Sequence, residues 1–194
     1  MYVRDAKNRD EVWLLDHIEA MGLDEQAFRS RDYVIAMDEH EGERAGFGRI
    51  RVHKTDDSEL CELTSIGVLD SWRGQGVGAH VVERLVKTAR DKGFGTVYTL
   101  TSQQEYLSQF GFEQIEPGTL PEQLQERLST KRERLDPDAV PMGIDPERFR
   151  MPDHLREAFK GAVANPEEEE EPEEGPEDFG IDPEEATYKY DTGS

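Results

Sequence analysis

An α+β domain with a mixed central sheet flanked by helices is the fold class this sequence predicts, on three observations. Strand-like runs joined by polar turns follow one another up to about residue 69. A strongly amphipathic helix comes next, behind a glycine-rich turn. Strand and helix signals then alternate as far as about residue 160. Strands joined by tight turns pair antiparallel, whereas a strand–helix–strand crossover makes parallel neighbours, so the sheet is expected to hold both.

The elements follow from periodicity. Val12, Leu14, Leu15, Ile18 and Met21 recur at helical spacing from Asp10 to Met21, and Gly22 ends the run. Strands are expected at Tyr33–Met37, Ala45–His53 and Leu60–Leu69, separated by the turns DEHEGE and TDDSE: an antiparallel meander. From Val77 to Lys92 a helix carries Val77, Val81, Leu85 and Ala89 on one face, flanked by Val82 and Val86, with Arg84, Lys87 and Arg90 turned away. Lys92-Gly93 stops it, and Thr96–Thr101 is β-branched and strand-like. A short helix at Gln104–Phe110 is capped by Gly111, and Phe112–Ile115 makes another strand. A charged helix spans 121–134, Ala139–Ile144 is a last strand confined by Pro141 to an edge, and Asp153–Ala162 is a short helix. Beyond Asn165 the chain is acidic and broken by prolines. The sequence therefore divides into a domain over residues 1–164 and a disordered acidic tail over 165–194.

Charge narrows the function classes. The 194 residues carry 44 acidic and 23 basic side chains, a net −21; the tail accounts for −12, which leaves −9 for the domain. No basic stripe exists to neutralise phosphates, which argues against a nucleic-acid partner. Arg outnumbers Lys by 16 to 7, and a surface rich in Asp and Glu but poor in Lys resembles proteins of salt-accumulating microbes. The start, MYVRDAKNRDEVW, is charged where a signal peptide needs an apolar run, and no stretch is long and apolar enough to span a bilayer. A soluble cytoplasmic protein is expected, with no membrane partner. The only cysteine, Cys61, cannot form an internal disulfide, and no His/Cys/Asp cluster has metal spacing, so no metal is expected.

The segment that carries chemistry is SIGVLDSWRGQGVGAH, residues 65–80. Arg73, Gly76 and Gly78 form R-x-x-G-x-G where a strand passes through a loop into a helix. Backbone N–H groups at a helix start make a nest for anions, and glycines let a pyrophosphate approach the backbone. A tight left-handed connection without a ligand uses the same residues. The loop has no G-x-x-x-x-G-K-[ST] and follows a meander rather than opening a βαβ unit, which sets aside P-loop and Rossmann readings. Here the sequence resembles the GNAT superfamily of N-acetyltransferases, whose acetyl-CoA motif reads V-x-P-x-[YW]-R-G-x-G-[VIL]-G. Val68, Trp72, Arg73, Gly74, Gly76, Val77 and Gly78 match, and Asp70 replaces the proline. A second family feature, [FY]-x-x-x-x-G-F, matches Tyr106 through Gly111-Phe112. The resemblance covers about residues 10–144 and is loosely nearest to modules of the N-acetylglutamate synthase type. It implies the GNAT fold, with a central mixed sheet of about six or seven strands.

The resemblance also implies roles. Backbone N–H groups from Gln75 through Gly76, Val77 and Gly78 to Ala79 would hold the pyrophosphate of acetyl-CoA, the cosubstrate, with Arg73, Gly74 and the helix dipole assisting. Ile66, Gly67 and Val68 would pair with the pantetheine arm, the Val68 N–H meeting the developing oxyanion. Ordinary core packing is the other reading of Ile66 and Val68, and both can hold at once. Glu62, at the position of a catalytic glutamate, shares a face with Thr64, Ile66 and Val68 if period two holds, and apolar surroundings would raise its pKa to suit a general base. The alternative is a solvated edge carboxylate. Tyr106 is the candidate acid for the CoA thiolate, although, aligned on Gly111, it falls at a Phe/Trp place and Leu107 takes the tyrosine place, which favours a core role. Cys61 is expected as a buried structural thiol, and His80 as a cap or surface residue.

An N-acetyltransferase acting by direct attack in a ternary complex is the expected function. The acceptor is a small amine or amino acid, or a protein amine, and the protein a monomer or homodimer. The alternatives are a non-catalytic acetyl-CoA-binding sensor or regulatory module and an interaction protein that works through its tail.

Overall fold

The computed structural model describes residues 1–165. Among the described residues, seven strands form one sheet in the order β1-β2-β3-β4-β5-β7-β6. They are β1 (Tyr2–Asp5), β2 (Tyr33–Met37), β3 (Arg44–Lys54), β4 (Glu59–Val68), β5 (Val97–Thr101), β6 (Glu113–Gln114) and β7 (Val140–Ile144). All neighbours run antiparallel except β4 and β5, which are parallel because the crossover helix α2 (Val77–Asp91) joins them. The remaining helices are α1 (Glu11–Ala20), α3 (Gln104–Ser108), α4 (Glu122–Arg134) and α5 (Asp153–Lys160). The mixed sheet and flanking helices agree with the expected fold class. No described helix is long and apolar enough to cross a membrane, and the acidic tail lies, from residue 166, outside the described residues.

Each face of the sheet buries a different cluster. Val77, Val81, Leu85 and Ala89 of α2 pack on Cys61, Leu63, Val97 and Ile144, as the helical periodicity requires. On the opposite face, Leu14 and Ile18 of α1 meet Tyr33, Ile35 and Phe47, while Leu124 and Leu128 of α4 pack on Leu100 and Leu120. Buried Asp10 ties β1, the start of α1 and β3 together. It receives both guanidinium nitrogens of Arg4 at 2.8 and 3.0 Å, Arg44 Nε at 3.0 Å and the Lys7 N–H at 2.8 Å.

Two expectations need correction. The strand β1 has no counterpart in the sequence reading, because four residues, two of them charged, show too little alternation. Pro141 does not mark an edge: β7 lies between β5 and β6. The Pro141 carbonyl accepts from Ile115 N–H at 2.9 Å, so the position's missing donor faces the two-residue β6 and the ladder to β5 is intact.

Candidate active site

The site starts with a fault in the sheet. Opposite Gly48 of β3 stand two residues of β4, Ser65 and Ile66, because the register passes from Arg49–Thr64 to Phe47–Gly67. Ser65 takes a left-handed φ of 53°, and its Oγ donates to the Asp24 carbonyl at 2.6 Å, which holds the bulge. The parallel pairing of β4 with β5 covers only Cys61–Leu63 and Val97–Thr99. Past it the strands diverge, and the fork between them opens into a cleft of about 680 Å³. Thr64, Ile66 and Val68 form one wall, Thr99 to Gln103 the other, with Arg73, Gly74, Gly78 and Tyr106 towards one end and Asp24, Lys131 and Asp136 towards the other.

The bulge also reverses side-chain alternation. Before it, Cys61 and Leu63 face α2; after it, Ile66 and Val68 do. Glu62 is therefore not on the face of Ile66 and Val68, a correction to the strict period-two reading. It points towards α4, fully buried, with Arg127 gripping it from Nε at 2.7 Å and Nη2 at 3.0 Å. His53 Nε2 donates to the same carboxylate at 2.7 Å, and the Gln123 amide lies 3.4 Å from Nδ1, an arrangement the neutral Nε2–H tautomer satisfies. Arg127 extends to Asp24 at 2.8 Å. Burial would raise the pKa of Glu62, but the His53 and Arg127 hydrogen bonds prevail and hold it below the usual carboxylate range. The expected rise does not occur.

The glycine loop leads into α2 as a helix-start nest. Gly76 precedes the helix at φ 75°, and the first intrahelical bond closes from His80 N–H to Gly76 carbonyl at 3.2 Å. The N–H groups of Val77, Gly78 and Ala79 thus lie in the first turn, which a helix cannot satisfy, and no acidic side chain stands there to oppose an anion. Leu69 N–H bonds Ala45 and Gly67 opposes Phe47, so Val68 between them turns its N–H towards the cleft. Gly67 meets no cleft; a Cβ on it would sit 2.6 Å from Met21 Sδ. Val77 and Ala79 bury their side chains in the core, and only their backbone is available to a ligand.

The loop's outer flank is occupied. Gln75 clamps the backbone of Val163, donating to its carbonyl at 2.7 Å and accepting from its N–H at 2.9 Å. His80 is neither a surface residue nor a side-chain cap. It is buried, stacks on Phe159 of α5 at 3.8 Å, and bonds the Gly76 carbonyl through Nδ1 at 2.8 Å.

Tyr106 is 38% exposed while neighbouring Leu107 is buried, so the core reading of Tyr106 is corrected. Its hydroxyl stands over Gly78 and lines the cleft, and burial keeps its pKa raised. Arg73 reaches the cleft with its guanidinium on Asp70 at 3.1 Å. Thr64, Arg127 and Lys131 escaped sequence reasoning. Thr64 is 5% exposed, and its hydroxyl has no partner among the described residues. The latter two sit on a helix whose charge pattern matches that of a solvated surface.

The sequence profile described as the Acetyltransferase (GNAT) family matches residues 3–112. An uncharacterized N-acetyltransferase of Chlorobaculum tepidum is 24% identical over 112 residues, covering 58% of this chain and 69% of that protein. The amino-acid acetyltransferase of Mycobacterium tuberculosis is 36% identical over 59 residues, 30% of this chain and 34% of its own length. Among solved structures, the N-acetylglutamate synthase of Neisseria gonorrhoeae, complexed with coenzyme A and N-acetyl-glutamate, superposes with a TM-score of 0.60 at 16% identity. That match covers 74% of this chain and 34% of the synthase, and it shows likeness of fold.

Gly76 makes a testable joint. A Cβ there would lie 2.4 Å from the Leu155 carbonyl, at a φ that suits glycine. Gly76→Val is expected to cost about 2–4 kcal/mol and to release α5, seen as a lower melting temperature with new proteolytic cleavage within residues 150–164. Unchanged melting and protection would mean that α5 does not depend on the loop.

Proposed function

Because the chain belongs to the acetyltransferase (GNAT) family, we propose that it transfers the acetyl group of acetyl-CoA to a primary amine by direct attack in a ternary complex. The acceptor class is a small amine or amino acid, or a protein amine. The amino-acid acetyltransferase and the N-acetylglutamate synthase among its relatives favour the amino acid. The observation that carries the reading is the fork: one continuous cleft runs from the glycine loop to Thr64 and Lys131.

In this mechanism the first-turn N–H groups of α2 and Arg73 bind the pyrophosphate. The Val68 N–H receives the thioester oxygen and stabilises the charge that grows on it during attack. The acceptor enters beside Thr64, whose hydroxyl orients the amine. Cleft water takes the amine's proton, since Glu62 is buried and both its oxygens are engaged. Glu62 acts as a positioning residue, holding Arg127 and through it Asp24 against the bulge. Tyr106, whose hydroxyl lines the cleft over Gly78, returns a proton to the departing thiolate.

Acetyl-CoA at a hundred times its dissociation constant should stabilise the fold by about 2.7 kcal/mol, and a panel of amino acids, polyamines and peptides at high salt should reveal acceptor-dependent release of CoA. Binding without turnover on any amine would leave the sensor reading standing; no thermal shift at any salt concentration would remove both readings.

Glu62→Gln distinguishes positioning from base catalysis. Glu62 has a lowered folded pKa, so its stabilisation is complete above the unfolded value of about 4.3 and is lost as pH falls through the folded value. The variant leaves Arg127 short of a buried counter-charge and should lose about 3 kcal/mol at neutral pH, less in acid, with the pH profile of turnover unchanged in shape. A fall of ~10²-fold or more that high pH rescues, at wild-type stability, would make Glu62 the base after all.

The domain boundary is proposed at Ala164, and a chain ending there keeps the Gln75–Val163 clamp. It should retain acetyl-CoA affinity within about twofold, whereas ending at Arg150 should abolish binding; equal affinity in both would show the clamp to be irrelevant.

A further inference from the structure

Where β4 leaves β5, the first β5 residue beyond their pairing is Leu100. It stands opposite Pro141, whose carbonyl points away to β6, so this is a position at which β5 and β7 exchange no hydrogen bond. The Leu100 carbonyl therefore points to the side β4 has vacated. The group that satisfies it is the Lys131 ammonium, donated across the fork from α4. Lys131 lines the cleft and is the one lysine among the described residues that is not exposed. A primary amine thus already stands at the end of the cleft where, on the reading above, the acceptor amine meets the thioester.

We propose that Lys131 is a self-acetylation site, its Nζ accepting the acetyl group of acetyl-CoA bound in the same cleft. The inference rests on the acetyl-transfer reading and deepens it. Nζ gives up one proton to water; its lone pair attacks the thioester carbonyl; the carbon–sulfur bond breaks, and the amine's second proton passes to the departing thiolate. The products are N-acetyl-Lys131 and CoA. Two features favour this lysine over the exposed ones. Desolvation, with Arg127 adding to it, lowers its pKa against the opposing pull of Glu62, Asp24 and Asp136, so more neutral amine is present near neutrality. Its attachment to α4 also makes the reaction intramolecular, which raises the effective amine concentration by orders of magnitude. The acetylated side chain keeps one N–H for Leu100 but fills the fork, so modification should slow transfer to any other amine.

The full chain is incubated with acetyl-CoA without acceptor and followed by thermal shift, intact mass and peptide mapping. The expected result is a mass gain of one acetyl group at Lys131, at least ~100-fold faster than at exposed Lys54, suppressed by excess CoA and absent in Lys131→Arg. Acetyl-CoA that stabilises the protein while Lys131 stays unmodified, or is modified no faster than Lys54, overturns self-acetylation and leaves acetyl transfer intact. So does modification that excess CoA does not suppress, because that is chemistry in solution. If acetyl-CoA produces neither stabilisation nor modification, both readings fall.

Discussion

The whole site depends on one backbone constraint, the left-handed turn of Ser65 in β4. A serine there costs of order 1–2 kcal/mol against an extended residue. The hydrogen bond from its Oγ to Asp24 and the packing on both sides of the strand offset that cost. The extra residue moves β4 away from β5, opens the cleft and turns the Val68 N–H into it. It also breaks the alternation, so Cys61, Leu63, Ile66 and Val68 all face α2 while Glu62 turns towards α4.

The polar residues around Glu62 form a second layer of control. Glu62, Arg127 and Asp24 form a chain of buried and half-buried charges from β4 through α4 to the loop that holds Ser65, and His53 adds a hydrogen bond to Glu62. Such a chain adds little net stability over an apolar core of the same shape, but removing one member is expensive because its partner is left uncompensated. Its effect is geometric. The α1–β2 loop, the bulge and α4 cannot move independently, and these are the pieces that border the part of the cleft lined by Asp24, Thr64, Ser65 and Lys131.

Much of this was legible in the residues alone, and the misses have definite causes. The meander, the crossover helix and the glycine loop follow from periodicities that local sterics enforce, and Arg73-Gly-Gln-Gly-Val-Gly78 does stand at the start of α2, with Gly76 in a left-handed conformation. The facing of Glu62 did not follow, because a bulge at a non-glycine residue has no local signature and every side chain beyond it is displaced by one. Arg127 and Lys131 were invisible for another reason. Their helix, EQLQERLSTKRER, is polar enough to pass for a solvated one, and only long-range packing of Leu124 and Leu128 reveals that one side is buried. Tyr106 and Leu107 exchanged roles through a one-residue offset, since counting back from Gly111 does not reveal which side of so short a helix faces inward.

Cys61 has a practical consequence. It is the chain's only cysteine, it sits under α2 on the face away from Glu62, and burial pushes its thiol pKa up to about 12. Thiolate is the reactive form, so at neutral pH this sulfur is silent to electrophiles while the fold is intact. A colorimetric thiol reagent added to a reaction mixture then reports liberated coenzyme alone, with no background from the folded protein. A slow rise in that signal without any acceptor or coenzyme would instead time the opening of the sheet between β4 and α2.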